Sequence, residues 1–343
     1  MSRFILLSAA CALVLVSGSC DESFNPGAAF QPRMVAYSVL TTESDTQYVR
    51  VYSTYLPPNN NPANNPNETS VTDAVVKIVG TNPLYDGRTY DFQSLELKRP
   101  QQGRYKDSIG VYHSFPFKPI RGASYKLTVA SPTYGTATAD LTLPTRGTIQ
   151  FVDPFVLENP WTYPHDLQVS IKLSNLVDAF LVRLYVEYNV HNPQTDLWIS
   201  YRTEVPLKAV EISKVLGVYE YSFPELTRRQ TPKNTGFSSS NTDGFSFQVG
   251  AYQSVIYRIV SQVDRSDFKK VVCYLVQADE QLYRYYEEAN RFNDKNSIRL
   301  DQPNYTNIQG GIGLFASMGV DSVVYPLPGG PICPPPGPDV ICH

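Results

Sequence analysis

Short apolar runs, separated by turn-forming clusters, give this chain the pattern of a β-rich protein. Within these runs apolar side chains partly alternate with polar ones, and β-branched and aromatic residues are common, which is typical of strands that bury one face. In the first part of the chain the runs are residues 35–40, 48–52, 74–78, 125–129 and 137–143. The pattern predicts no amphipathic helix between them. It therefore indicates an antiparallel, immunoglobulin-like β-sandwich over residues 34–146.

A second part begins after the Pro-Thr-Arg-Gly sequence at 144–147, where a strand ends at a proline. The runs at 167–173 and 180–188 are longer and alternate cleanly. Strands with one packed and one wet face fit a second antiparallel sandwich. Residues 147–328 are therefore predicted to form a jelly-roll-like sandwich.

One short helix and one irregular tail complete the prediction. Apolar residues fall at helical spacing over 279–290, and Asp279 can cap the first turn of that helix. Residues 329–343 are rich in Pro and Cys and form a tail. The expected fold class is mostly β, with two antiparallel sandwiches and one short helix near 279–290.

The first twenty residues have the layout of an export signal. Arg3 precedes an apolar run at 4–16, and small residues lead to Cys20. A run of this length is too short to cross a bilayer of about 30 Å. We predict a lipoprotein signal peptide at 1–19, lipidation of Cys20, and a flexible tether at 20–33 that attaches the folded body to a membrane. An ordinary cleaved signal with a coincidental cysteine is the alternative.

Charge and composition narrow the class of partner. The chain has 343 residues, 24 of them Tyr and 27 Pro, and a formal net charge of −3. It has no basic run, so nucleic acid is not an expected partner. Tyrosine and proline favour strands and turns over helices.

The cysteines give three separate predictions. Cys273 lies in an apolar, strand-like run and is expected to be a buried small hydrophobic residue. Cys333 and Cys342 lie in the tail, where an oxidising compartment favours a local disulfide. A Cys/Cys/His metal site in the tail is the alternative, but it has too few ligands. We therefore predict no metal and no cofactor.

Catalytic motifs are absent from the sequence. Four histidines occur, and no nucleophile elbow, zinc-protease motif, phosphate-binding loop or calcium loop has the required spacing. The chain is accordingly predicted to be non-catalytic. A hydrolase whose carboxylates come together from distant positions is the alternative.

Aromatic residues are the candidate binding groups. Trp161 and Trp198 have flat apolar faces that can stack on sugars or peptide side chains, and Tyr305 is a third candidate ligand contact. The alternative is that the tryptophans fill the core or cover a sheet end. Ser108 and Ser322 stand in Asp-Ser-Ile and Asp-Ser-Val triplets that resemble an O-glycosylation acceptor sequence of Bacteroidota. Ordinary turn or strand residues are the alternative for these two serines.

Several segments resemble a family of uncharacterised Bacteroidota lipoproteins. They are Cys20 with its two acidic followers and residues 71–78, 122–129, 283–286 and 306–315. In that family an asparagine precedes a glycine pair and then an aromatic residue, and the order Asn307, Gly310, Gly311, Phe315 is similar. The resemblance covers the chain after the signal, apart from the Cys/Pro tail, and carries no catalytic set.

The resemblance implies a location and a role. Acidic residues behind the lipidated cysteine resemble a surface-export signal, which implies a lipid-anchored protein of the outer membrane that faces the cell exterior. Such proteins are commonly encoded beside TonB-dependent receptors, which implies an accessory or ligand-capturing subunit. The aromatic candidates indicate a glycan or peptide as its ligand. A surface adhesin or structural module is the first alternative, and a β-sandwich hydrolase acting on glycans is the second.

Overall fold

The structure is a computed structural model. It describes residues 30–55, 69–98, 108–163, 165–213, 218–230, 243–263, 265–291 and 305–332.

The described residues form seventeen strands and three helices. The strands of the first part are β1 (Met34–Thr41), β2 (Gln47–Ser53), β3 (Val75–Gly80), β4 (Thr89–Lys98), β5 (Ser108–Ser114), β6 (Ser124–Ser131) and β7 (Gly135–Thr142). The next strands are β8 (Thr148–Phe151), β9 (Leu167–Lys172), β10 (Ala179–Asn192), β11 (Leu197–Val205), β12 (Lys208–Ser213) and β13 (Val218–Ser222). The last strands are β14 (Thr227–Arg228), β15 (Asp243–Phe247), β16 (Ser266–Ala278) and β17 (Ile312–Pro326), and the helices are α1 (Phe155–Glu158), α2 (Val249–Gln262) and α3 (Glu280–Arg291). The predicted mostly β, sandwich-like class is confirmed.

One large sheet runs through most of the molecule. Its strand order is β11-β10-β16-β17-β1-β2-β5-β4-β3-β6-β7, and β14 pairs with β10. The long last strand, β17, joins the two parts of the chain, because its first half pairs in parallel with β1 and its second half pairs antiparallel with β16. The predicted domain boundary near residue 146 remains a prediction, since strands from both sides share this sheet.

Two hydrophobic cores pack against the sheet. The first contains buried side chains between residues 34 and 143, together with Ile308 and Phe315. Its centre is aromatic, with Phe117 stacked on Tyr90 at 3.8 Å between ring centroids. The second core contains buried side chains between residues 149 and 332. The β17 strand therefore supplies side chains to both cores.

The segment before β17 closes the first core. Thr138 and Gln309 exchange two backbone hydrogen bonds, of 2.9 and 2.8 Å, so that this segment meets β7 on one side while β17 meets β1. Gly313 has φ +124°, and a Cβ at this position would collide with the carbonyl oxygen of Ala36. The glycine is required because the backbones of β1 and β17 approach closely here.

The helix predicted at 279–290 is confirmed as α3, whereas α1 and α2 were not predicted. In α2 the buried residues Tyr252, Val255, Ile256 and Ile259 lie on one face at helical spacing and pack into the second core. Three of these four are β-branched and would also suit a strand. Packing against the core therefore decides the conformation of this segment.

Candidate functional site

Several predicted positions lie outside the described residues. These are the signal peptide, most of the tether, Cys20, Cys333 and Cys342. The predicted lipidation and disulfide therefore stay predictions. Within the ranges that the structure describes, none of the helices has the length and apolar character needed to cross a membrane.

Trp161 lies half-buried in the turn after α1. Its side chain packs against the second core and lines a pocket of about 370 Å³ together with Phe268, Leu327 and Ile332. The indole therefore has a structural contact and also one side that faces a pocket.

Trp198 lies on β11 and is 50% exposed. Its ring is 5.3 Å from that of His191 on the neighbouring strand β10. Among the described residues, neither Tyr305 nor Trp161 makes a ring contact with Trp198. The three predicted ligand contacts therefore belong to separate surroundings.

Tyr305 packs beside α3. Its hydroxyl donates a hydrogen bond to Oε1 of Gln281 in that helix, and burial raises the pKa of the Tyr305 phenol. This geometry attaches the segment before β17 to the helix and occupies the polar end of the ring.

The two serines of the Asp-Ser triplets differ in exposure. Ser108 begins β5, is half-buried and lies opposite Lys98. Ser322 is exposed on β17 opposite Tyr274. The predicted modification of these serines stays a prediction.

The β10–β11 hairpin ends the large sheet and exposes an uncharged, largely apolar stretch at the start of β11, residues 197–201. Leu197, Trp198, Ile199 and Tyr201 are 62%, 50%, 41% and 47% exposed. Leu197, Ile199 and Tyr201 share one face of β11 with Val205, which is buried in the second core. Trp198 occupies the opposite face. The apolar surface of the core thus continues along the hairpin into solvent.

Polar contacts hold the base of this hairpin. Arg183 on β10 makes a bidentate ion pair with Glu204 on β11, with nitrogen–oxygen distances of 2.7 and 2.5 Å. The guanidinium of Arg202 lies 3.8 Å from the ring centroid of Tyr185 and 4.8 Å from that of Tyr274. These contacts cross-link three strands, so the exposed tip extends from an ordered base.

A polar network joins the two cores at the segment that links β7 to β8. Arg121 pairs with Asp321 of β17 at 3.3 Å and donates a second hydrogen bond, of 2.6 Å, to the carbonyl of Val320. The other oxygen of Asp321 accepts from the backbone N–H of Gly147 at 3.0 Å and from the side chain of the fully buried Gln277 at 2.8 Å. The acid is therefore neutralised and fully hydrogen-bonded.

Beside this network lies a cavity of about 750 Å³, which we call the seam cavity. Its walls come from residues 42–43, 118–121, 146–149 and 320–322. These segments are far apart in sequence and belong to strands and turns of both cores. The volume is in the range of small-molecule sites, which commonly form where structural units meet.

Asp279 is the buried acid at the start of α3. One carboxylate oxygen accepts from the N–H of Leu282 at 2.8 Å, and the other accepts from the backbone and hydroxyl of Ser317 at 2.6 and 2.8 Å. Burial raises the pKa of Asp279 to about 6. Because both oxygens are engaged, the group acts as the predicted helix cap and also ties α3 to β17.

The remaining titratable groups give little catalytic chemistry. Cys273 is buried in the second core, as predicted, and burial raises the pKa of its thiol to about 12. In the part of the chain that the structure describes, His, Cys, Asp and Glu side chains form no group of three or more that could hold a metal ion. Asp166 accepts a hydrogen bond from the N–H of Val249 at 3.2 Å and so caps the start of α2.

Sequence reasoning missed both surfaces with binding character. The uncharged sequence Leu197–Tyr201 was a local signal for the exposed edge, but only Trp198 was selected from it. The seam cavity has no local signal, because its four wall segments meet only in the folded chain.

The fold and these surfaces define a mostly β, sandwich-like protein with an exposed apolar sheet edge. The chain belongs to the family defined by the domain of unknown function DUF4249, whose family model matches residues 21–323. The match covers most of the chain, in agreement with the resemblance to an uncharacterised family. A search of the curated proteins finds no match to this chain.

Proposed function

We propose that this protein is a non-catalytic lipoprotein of the outer membrane of Bacteroidota and an accessory subunit of a TonB-dependent receptor system. Lipidated Cys20 and the tether hold it at the outer face of the membrane, and the edge strand β11 docks onto the receptor. The receptor carries out the energised transport, while this protein supplies contact surface and captures a ligand.

The exposed edge strand is the observation that carries this proposal. Residues 197–201 are uncharged, rich in β-forming side chains and free of proline, and they lie at the end of the large sheet. Strands of this kind tend to pair with other chains, so soluble proteins usually protect them with charges, prolines or a covering segment. A partner that adds a strand to β11 and covers Trp198 and Ile199 supplies that protection.

The anchor supports the same arrangement. A lipid and a tether restrict the protein to the membrane plane, which raises its effective concentration near a receptor and allows a modest interface to suffice. The ordered base of the hairpin, held by Arg183 and Glu204, lowers the entropy that docking costs.

The test is purification of the tagged full chain from its native outer membrane in mild detergent, with mass spectrometry of the proteins that accompany it. The wild-type chain is expected to recover a TonB-dependent barrel in stoichiometric amount. Ile199→Lys places a charge on the docking strand and is expected to remove the barrel. Leu84→Lys is the matched control, because Leu84 is 92% exposed but lies in a turn of the first part of the chain.

Two results separate this proposal from its alternatives. Recovery of the wild-type chain without a barrel, with retention on cell-surface polymers, would replace the accessory role with an adhesive one. Release of reducing sugars from surface glycans would instead support a hydrolase. The anchor is tested separately, because Cys20→Ser must abolish incorporation of labelled palmitate and release the chain from the membrane.

A further inference from the structure

The seam cavity has uncompensated positive charge in a chain that is negative overall. Lys118 and Arg146 lie on its wall, are exposed, and have no ion-pair partner in the described part of the chain. Arg121 and Asp321 neutralise each other at the side of the cavity. Glu43 is therefore the one acidic side chain of the described wall that opposes two free cations, while the formal net charge of the chain is −3.

The wall also has neutral hydrogen-bonding groups. Thr42 lies on this wall and is buried, and its hydroxyl has no hydrogen-bond partner among the described residues. Thr148 and Ser322 are exposed on other parts of the wall. Hydroxyl groups of this kind donate to carboxylate oxygens, and an uncommitted buried hydroxyl is uncommon in folded proteins.

The remaining wall is apolar. Pro119, Ile120, Ile149 and Val320 line the cavity together with the cationic groups. A bare inorganic ion would leave this surface wet. A carbon skeleton between two acid groups would cover it while its carboxylates reach Lys118 and Arg146.

We propose that the seam cavity binds a small organic acid with two or more carboxylates, which pair with Lys118 and Arg146 while the carbon skeleton lies against Pro119, Ile120 and Ile149. Lys118 precedes β6 in the first part of the chain and Arg146 precedes β8. Such a ligand therefore links segments on the two sides of the seam. The site is independent of the docking proposal, because it shares no residue with the β10–β11 hairpin.

Calorimetric titration of the full chain in mild detergent and low salt tests this site. Citrate and adipate are the probes, adipamide is the neutral analogue of adipate, and sulfate is the inorganic anion. At least one of the two acids is expected to bind saturably with Kd below about 1 mM, and adipamide is expected not to bind. Lys118→Gln and Arg146→Gln should each weaken binding about tenfold, the value expected for one charge-assisted contact.

Lys208→Gln is the matched control, because it removes the same charge from β12, which does not line the cavity, and should leave the affinity unchanged. Both test positions are exposed, and circular dichroism of each variant verifies that the fold is retained. Three results would overturn the proposal: a Kd above about 1 mM for both citrate and adipate, an affinity that neither test variant alters, or sulfate binding as tightly as either acid.

Discussion

The side chain of Asn307 makes two hydrogen bonds to the backbone of Phe315, as a neighbouring strand would, and removing it tests how the start of β17 is held. Its amide nitrogen donates to the carbonyl of Phe315 at 2.7 Å, and its amide oxygen accepts from the N–H of Phe315 at 2.9 Å. Phe315 is fully buried in the first core, and β16 reaches β17 only from Met318 onward. Asn307→Ala therefore leaves one donor and one acceptor of a buried residue without their partners.

The expected loss of unfolding free energy follows from the C=O and N–H groups of Phe315. A buried polar group that loses its partner costs about 1–3 kcal/mol, so the variant should lose about 2–4 kcal/mol of unfolding free energy, allowing for water that enters at the half-exposed Asn307. A domain of 5–15 kcal/mol total stability would remain folded but would unfold at lower urea and several degrees lower in temperature. Urea unfolding of the full chain, followed by far-ultraviolet circular dichroism, measures this difference.

Gln309→Ala is the control for this experiment. Gln309 is exposed, and its contribution to the sheet comes from its backbone, so its side chain should be worth less than about 0.5 kcal/mol. If Asn307→Ala unfolds at the same urea concentration as Gln309→Ala, the side-chain bridge does not stabilise β17 and the reasoning is refuted.

Three further predictions concern buried groups. The pKa of Asp279 is raised from 3.8 to about 6, so this group contributes roughly 3 kcal/mol of unfolding free energy that is fully present below pH 4 and is lost as the pH rises through 6. Urea unfolding at pH values from 4 to 7 should show this fall in stability in the wild type and not in Asp279→Asn. An equal fall in the variant would contradict the prediction. Gly313→Ala should prevent folding or lower the unfolding free energy by more than about 3 kcal/mol. Gly135 also has positive φ but has open space around it, so Gly135→Ala should lower the unfolding free energy by only about 1 kcal/mol. Equal thermal midpoints for the two variants would show that β1 tolerates the added methyl group. The thiol of Cys273 should resist iodoacetamide at pH 8 in the folded chain and react in urea, as mapped by peptide mass spectrometry; rapid native alkylation would mean that the second core opens readily.

The strands were predictable because their signal is local. The apolar, β-branched and aromatic runs at 35–40 and 125–129 predicted β1 and β6 within a few residues, because the composition of a strand is a local property of the sequence. The same holds for α3, whose helical spacing and Asp279 cap are both local.

Helix α2 shows where local information ends. Its residues 249–262 are rich in Val, Ile and Tyr, which suit a strand as well as a helix. The helix forms because Tyr252 and Ile256 pack into a core that is assembled from strands elsewhere in the chain. Its first N–H group, that of Val249, donates a hydrogen bond to Asp166. Neither contact can be inferred from the segment alone.

The sites were harder to predict than the fold for the same reason. Trp198 was selected from its residue type, but its exposure depends on β11 being the edge of the sheet. The seam cavity depends on Lys118 and Arg146 lining one cavity although they are distant in sequence, and no spacing in the sequence predicts this. Lipidation of Cys20, in contrast, is a sequence-level prediction that only chemistry can test.

The pairing of β17 with β1 sets the order in which the molecule can be completed. Strand β1 has no parallel neighbour until β17 has been synthesised, because its parallel partner is the segment that ends at Pro326. The first core likewise lacks Ile308 and Phe315 until then. The first core therefore cannot fold completely before β17 is made. A chain without β17 would lose packing contacts in both cores.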